Sequence, residues 1–264
     1  MSVMQLLDAI ILGLVQGFTE FIPVSSSGHL IIVGHFLNFQ YSGLAFDTAL
    51  DIGTLVALYL FFAKDFYELG HDLVVGGPKR KLAIYILLAT IPGILAGVLI
   101  QHYAETVFRS SRLVAVNLIW VGIVMYLIDR YSKLDKQLGD FKLPQALAVG
   151  IAQAVALIPG ISRSGITIIT GRVLGFDRVA ATRFSFLLSA PIITGATLKV
   201  LVKSENLHTL SSEPLIYAAG ITAAFVSGWF SIKFLIDYLS RHGLGIFAAY
   251  RILVGILILV LGIR

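Results

Sequence analysis

Gln16-Gly17-Phe18-Thr19-Glu20-Phe21-Ile22-Pro23-Val24-Ser25-Ser26-Ser27-Gly28-His29 sits in the middle of an apolar stretch that runs from Leu6 to Leu37. The flanks are apolar enough to enter a bilayer, but the centre cannot continue as one helix. Pro23 ends it, and a Ser/Gly cluster follows. Irregular backbone at membrane depth survives only when it is buried in protein or lines a cavity. The stretch therefore reads as a re-entrant hairpin, helix then loop then helix. A second apolar stretch, Leu143 to Leu174, is broken in the same way at Pro159-Gly160-Ile161-Ser162-Arg163-Ser164-Gly165.

The two stretches are copies of each other. An offset of 137 residues sets Leu6 on Leu143, Ala9 on Ala146, Gly13 on Gly150 and Gln16 on Gln153. It continues without gaps through Ser25 on Ser162, Ser27 on Ser164, Gly28 on Gly165 and Gly34 on Gly171. Between and after the copies lie six runs long enough to span a hydrocarbon core: 44–63, 82–100, 113–131, 179–202, 215–236 and 244–263. Three spans follow each copy. An odd number reverses the orientation, so one hairpin enters from outside and the other from inside, with their loops meeting near the midplane. The expected fold is an all-α polytopic membrane protein, an inverted-topology repeat of six transmembrane helices and two re-entrant helix-loop-helix hairpins. It forms one membrane domain over 1–264, with repeat 1 at about 1–135 and repeat 2 at about 143–264.

Composition agrees with a membrane chain. Of 264 residues, 57% are hydrophobic and only 13% charged, and the mean hydropathy is +0.89. The absence of cysteine excludes disulfides and thiol chemistry. The net charge of +5 does not point to nucleic acid, because the Lys and Arg residues lie in short segments between apolar runs. They act as topology signals instead. Lys64, Lys79, Arg80 and Lys81 mark one cytoplasmic loop and Arg130, Lys133, Lys136 and Lys142 another, with Arg172, Arg178, Arg183 and Arg241 on the same side. Arg109, Arg112 and Lys203 then face outward, as do both termini. The first twenty residues lack a basic n-region and carry Asp8, Gln16 and Glu20, so they are read as structural rather than as a cleaved signal.

The chemistry gathers at the two breaks. Gln16, Thr19 and Glu20 lie on one helix face and point into the protein. After Pro23, Ser25, Ser26 and Ser27 open the next helix and present its free N–H groups to the loop; Ser162, Arg163 and Ser164 repeat the device and add a guanidinium. Two helix N-termini and an arginine make an anion site suited to phosphate. An ionised Glu20 would repel that guest, so a hard divalent cation, Mg or Ca, is expected between carboxylate and phosphate oxygens. If Ser26 sits near the N-cap, His29 falls three residues on, where its imidazole approaches the serine hydroxyl. That spacing suits a serine nucleophile with a histidine base, or a histidine that attacks directly. Asp47 and Asp51, one turn apart on the following span, read either as an extension of the metal or proton site or as polar packing. Gln16 and Gln153 are expected to hydrogen-bond the loops. Arg251, in the last span, has two readings, a partner for an acid or a contact to phosphate.

These residues resemble a known family. Gln16 to His29 is similar to the (E/Q)xxxE and PVSSxGH signatures of the undecaprenyl-diphosphate phosphatases, also called bacitracin-resistance proteins. Pro159 to Thr167 is similar to their PGxSRSxxT signature, and Phe184-Ser185-Phe186-Leu187-Leu188 with Tyr250-Arg251 also fits. Position 16 is Gln where many members have Glu, and position 51 is Asp where Gln or His is expected. The resemblance implies removal of the terminal phosphate from an isoprenoid lipid diphosphate, regenerating the monophosphate carrier for cell-wall glycans. It implies a multi-pass homodimer in the cell membrane with a divalent metal and an outward-facing site. It further implies Glu20, Ser26, His29 and Arg163 as the essential set, supported by Gln16, Ser162 and Thr167. The alternative is a transporter or flippase of a lipid phosphate or small anion, because broken helices in inverted repeats are also transporter architecture.

Overall fold

The computed structural model describes residues 3–37, 44–99, 110–132, 135–201 and 213–262. Among them the chain is helical, with one isolated parallel bridge between Lys136 and Phe176. In the first half, α1 (Val3–Phe21) and α2 (Ser26–Leu37) flank the first break, followed by α3 (Leu44–Phe61), α4 (Ala63–Val75), α5 (Arg80–Leu99) and α6 (Ser111–Tyr131). In the second half, α7 (Leu143–Val155) and α8 (Arg163–Val173) flank the second break, and α9 (Arg178–Leu201), α10 (Pro214–Leu239) and α11 (Gly245–Leu261) follow. Large apolar side chains such as Leu95, Leu99, Phe230, Leu253 and Val260 are exposed on the outside, as lipid-facing residues are.

Five helices are long and apolar enough to cross a membrane, or six if the bent pair α3 and α4 is one span. The set differs from the six expected runs. The runs at 82–100, 113–131, 179–202 and 215–236 appear as α5, α6, α9 and α10. The run at 244–263 becomes α11, only 17 residues long. In contrast α1, expected as one limb of a hairpin, is itself long enough to cross. Its polar residues do not interrupt it, because Asp8 and Gln16 are buried on the protein-facing side. The run at 44–63 is α3, but the chain does not become a loop at Lys64. It turns by 74° and continues as α4. Its charges fix α4 in place: Asp65 pairs with Arg183 at 2.8 Å, and Lys79 reaches Glu68 at 2.5 Å. Lys133, Arg109 and Lys203, used above to assign sides, lie outside the described residues, as do the terminal residues.

The halves interlock. α1 packs along α10, and its counterpart α7 packs along α5; α3 also meets α10, α9 meets α5, and α6 lies against α11. Small residues make this possible, as they do wherever membrane helices approach closely. A Cβ on Gly17 would collide with Ser227 and the Ala224 carbonyl of α10, and one on Gly150 with the Ala89 carbonyl of α5. The core beneath the breaks is aromatic. Phe21 meets Phe186 edge-on at 5.4 Å, and Phe141 stacks between Phe176 at 3.7 Å and Phe184 at 3.9 Å. The segment entering α7 lies beside the exit from α8, since Lys136 donates to the Leu174 carbonyl at 2.8 Å and Gln137 to Asp177 at 2.6 Å. Arg178 meets Asp129 at 2.7 Å, which gathers the ends of α6, α9 and α11 with Leu244 N donating to the same carboxylate at 2.8 Å.

The Gly17 contact gives a direct test. Gly17→Leu forces α1 off α10, at a cost of about 1–3 kcal/mol or more. A lower melting temperature of the detergent-solubilised variant is expected, whereas Gly70→Leu, where a Cβ meets nothing within 4 Å, should leave it unchanged.

Candidate active site

Each break forces a serine into an unusual backbone. Ser25 has φ 77° and Ser162 φ 74°, and among the described residues no other non-glycine residue has a positive φ. Such conformations cost about 1–3 kcal/mol each and persist only where the surroundings impose them. The same strain at matched positions of the two copies turns each chain sharply into its next helix. Ser162 caps α8, accepting from Gly165 N at 3.1 Å. The result sets Ser26 at the first position of α2 and Arg163 at the first position of α8.

Glu20, at the end of α1, is the hub. Its Oε1 pairs with the Arg163 guanidinium, and its Oε2 accepts from Ser26 Oγ at 2.5 Å and from Gln16 Nε2 at 3.1 Å. Gln16 Nε2 also donates to Asp51 Oδ1 at 2.7 Å, so one amide bridges two carboxylates. These groups line a cavity of about 300 Å³ that Ser25, Ser27, Ser162, Asp47 and Gln153 share. Gly93 of α5, Leu157, and Ile192, Ile193 and Ala196 of α9 add apolar lining. A cavity lined by charged and apolar groups together suits an amphiphilic guest.

Other expected site residues lie elsewhere. His29 does not approach Ser26. Its Nδ1 lies 2.8 Å from the Ser25 carbonyl, which can only accept, so this nitrogen carries the proton. Its Nε2 is taken by the Tyr250 hydroxyl at 2.8 Å, and the two rings stack. The imidazole is thus buried between α2 and α11, away from the cavity lining, and the hydroxyl it was expected to activate is held by Glu20 instead. Ser164 and Thr167 also point away from the cavity. Ser164 Oγ contacts Ser162 Oγ at 3.2 Å, and Thr167 Oγ1 donates to the Arg163 carbonyl at 2.7 Å and meets Ser185 Oγ at 2.6 Å. Thr19 donates to the Val15 carbonyl of its own helix at 2.6 Å.

Arg251 meets neither an acid nor an open phosphate site. It is fully buried and donates to the carbonyls of Pro23 at 3.1 Å, Gly160 at 2.7 Å and Ile161 at 3.0 Å. One guanidinium therefore holds both breaks. Asn117 of α6 assists by donating to the Pro159 carbonyl at 2.8 Å. An arginine inside an apolar run was the visible signal; the targets were not, because carbonyls leave no mark in a sequence.

The donor set suits a hard cation. Gln16 Oε1 is buried without a partner beside the Glu20 and Asp51 carboxylates, and Asp47 lines the same cavity. Among the described residues no three His, Cys, Asp or Glu side chains gather as ligands, so such an ion would take much of its shell from phosphate oxygens and water.

Residues 9–257 match the family of the bacitracin resistance protein BacA. The chain belongs to that family. It is 45% identical over 258 residues to the undecaprenyl-diphosphatase of Moorella thermoacetica, covering 97% of each chain. It is 43% identical over 259 residues to the undecaprenyl-diphosphatase of Desulforudis audaxviator, again covering 97% of each. The family match spans both breaks and the helices that carry Glu20, Arg163 and Arg251.

Removing the Arg251 clamp should be costly. Arg251→Met leaves the Pro23, Gly160 and Ile161 carbonyls without their donor, and a loss of about 3 kcal/mol or more is expected as a lower melting temperature. Tyr250→Phe deletes one hydrogen bond to His29 and should cost about 1 kcal/mol.

Proposed function

We propose that this chain hydrolyses undecaprenyl diphosphate to undecaprenyl phosphate and inorganic phosphate, recycling the lipid carrier of cell-wall glycan synthesis and conferring bacitracin resistance. The observation that carries the mechanism is the short contact from Ser26 Oγ to Glu20 Oε2, 2.5 Å, beside the Arg163 guanidinium. Ser26 Oγ attacks the terminal phosphorus and Glu20 takes its proton. The phosphoanhydride P–O bond breaks, and the departing lipid monophosphate receives that proton. Glu20, again a carboxylate, then deprotonates a water that attacks the phosphoserine phosphorus; the Ser26 Oγ–P bond breaks, inorganic phosphate leaves, and Glu20 returns the proton to Ser26 Oγ. Arg163 and the N-terminal N–H groups of α2 and α8 face the charge that spreads over the transferring group. A bound Mg or Ca, held through Gln16 Oε1, Asp51 and Glu20 with Asp47 nearby, would supply further positive charge to the phosphate oxygens. Ser25, Ser27 and Ser162 line the same cavity and serve as substrate contacts, while Ser164 and Thr167 support the loop behind Arg163.

We read the architecture as an inverted repeat with two re-entrant hairpins. The support is the 137-residue offset, the paired strain at Ser25 and Ser162, and the reciprocal packing of α1 on α10 and α7 on α5. In this reading the cavity opens outward, both termini lie outside, and the basic ends that gather around Asp129 and Asp65 are cytoplasmic. A homodimer in the cell membrane follows from the family resemblance.

The test is phosphate release from a long-chain isoprenyl diphosphate by purified protein in detergent, with Mg or Ca supplied or chelated. Metal-dependent release is expected in the wild type, lost in Glu20→Gln and Ser26→Ala and reduced about 10²–10³-fold in Arg163→Ala. Mass spectrometry of a rapidly quenched reaction should localise phosphate to Ser26. Label on His29 would overturn the assigned nucleophile, and no release across metals and chain lengths would direct attention to transport of lipid phosphate in liposomes.

A further inference from the structure

Gln153 is 3% exposed, lines the cavity, and neither atom of its side-chain amide has a hydrogen-bond partner. That is unusual, because buried amides are almost always satisfied. Its counterpart in the first copy, Gln16, spends its amide nitrogen on Glu20 and Asp51. Among the described residues nothing plays that part for Gln153. It does not hold the loops, as the sequence pattern suggested; it is a donor and acceptor pair kept open inside the site.

Its position says which part of a guest it meets. A Cβ built on Gly93 would lie 3.3 Å from Gln153 Nε2 and 3.2 Å from Ile192 Cδ1. The amide nitrogen therefore sits against Gly93 and Ile192, among the apolar lining, in the cavity that Glu20, Ser26 and Arg163 also line. A lipid diphosphate with its terminal phosphate at the serine has its lipid-bearing phosphate next to the isoprenoid, the part of the guest that apolar lining suits. We infer that Gln153 donates its side-chain N–H groups to oxygens of the lipid-bearing phosphate, the group that departs with the isoprenoid. A neutral donor suits that place, since the cavity already carries the carboxylates of Glu20, Asp47 and Asp51, and it binds the monophosphate without holding it as tightly as a cation would. The inference rests on the phosphatase reading and names the contact that orients its substrate.

The experiment compares wild type, Gln153→Met and Gln153→Glu in detergent, reading melting temperature, binding of isoprenyl monophosphate by calorimetry, and the KM and kcat of phosphate release. Because the amide has no partner within the protein, Gln153→Met should melt at or above the wild type. It should bind isoprenyl monophosphate about 10- to 100-fold more weakly, with inhibition by inorganic phosphate unchanged, and Gln153→Glu should bind it more weakly still. Undiminished monophosphate binding in both variants overturns the inference, as does a Gln153→Met that melts well below wild type, the mark of a structural amide. The binding arm needs no turnover. Absence of phosphate release from wild type therefore refutes the phosphatase reading separately, whatever the monophosphate titration shows.

Discussion

A backbone carbonyl without a donor inside an apolar helix bundle costs about 1–3 kcal/mol, and each break in this chain exposes several at once. Arg251 answers that constraint for both breaks together. Its guanidinium forks between Pro23 in the first and Gly160 and Ile161 in the second. Among the described residues no carboxylate pairs with this buried group, and carbonyl dipoles compensate it. That arrangement makes the two loops mutually dependent: neither can settle without the donor that the other shares. Everything that follows at the site, from the strained Ser25 and Ser162 to the contact of Glu20 with Arg163, needs the loops at this separation.

The loops in turn present Glu20 and Arg163 to each other from opposite halves of the chain. Their pair is nearly buried, with side chains 10% and 19% exposed. A buried pair is weak evidence for stability, because desolvating two charges offsets most of their attraction. It makes better sense as part of the proposed polyanion site, where the oxygens of a diphosphate would compete with Glu20 for Arg163 while Glu20 holds the Ser26 hydroxyl. Apolar lining from Gly93, Ile192 and Ala196 would strengthen that exchange.

How much of this was legible in the sequence depended on whether the information was local. Pro23 and the serine cluster located the first break, and the 137-residue offset located the second and predicted that both would bend alike; the two positive φ angles fall on matched serines. Glu20 and Arg163 were legible as an acid and a base carried by the two breaks; their direct pairing is what the structure adds. What the sequence did not show was which way each side chain turns. The spacing of Ser26 and His29 permitted a contact, but Tyr250, far along the chain, competed for the imidazole and the Ser25 carbonyl fixed its other nitrogen. Thr167 and Ser164 have the right residue type in the right motif and still spend their hydroxyls on the loop. α4 was invisible as a helix because its charges resembled a loop, although those charges are paired with α9 and with Lys79.

The two copies share a sequence pattern and, in the proposed reaction, divide the chemistry. Across the same offset Glu20 faces Leu157, Ser26 faces Arg163 and Asp51 faces Leu188. The first copy would thus supply the nucleophile, its base and the acids, and the second the guanidinium. Two identical elements would have no reason to distinguish one phosphate of a diphosphate from the other. Divergence at these few positions makes their contributions unequal while the glycines that allow close packing, Gly13 and Gly150 among them, stay matched. Gln16 and Gln153 show the division at a single residue type: the amide nitrogen is taken by carboxylates in one copy and has no partner among the described residues in the other. In the proposed reaction, direction along the substrate is therefore set by the handful of side chains at which the two copies differ.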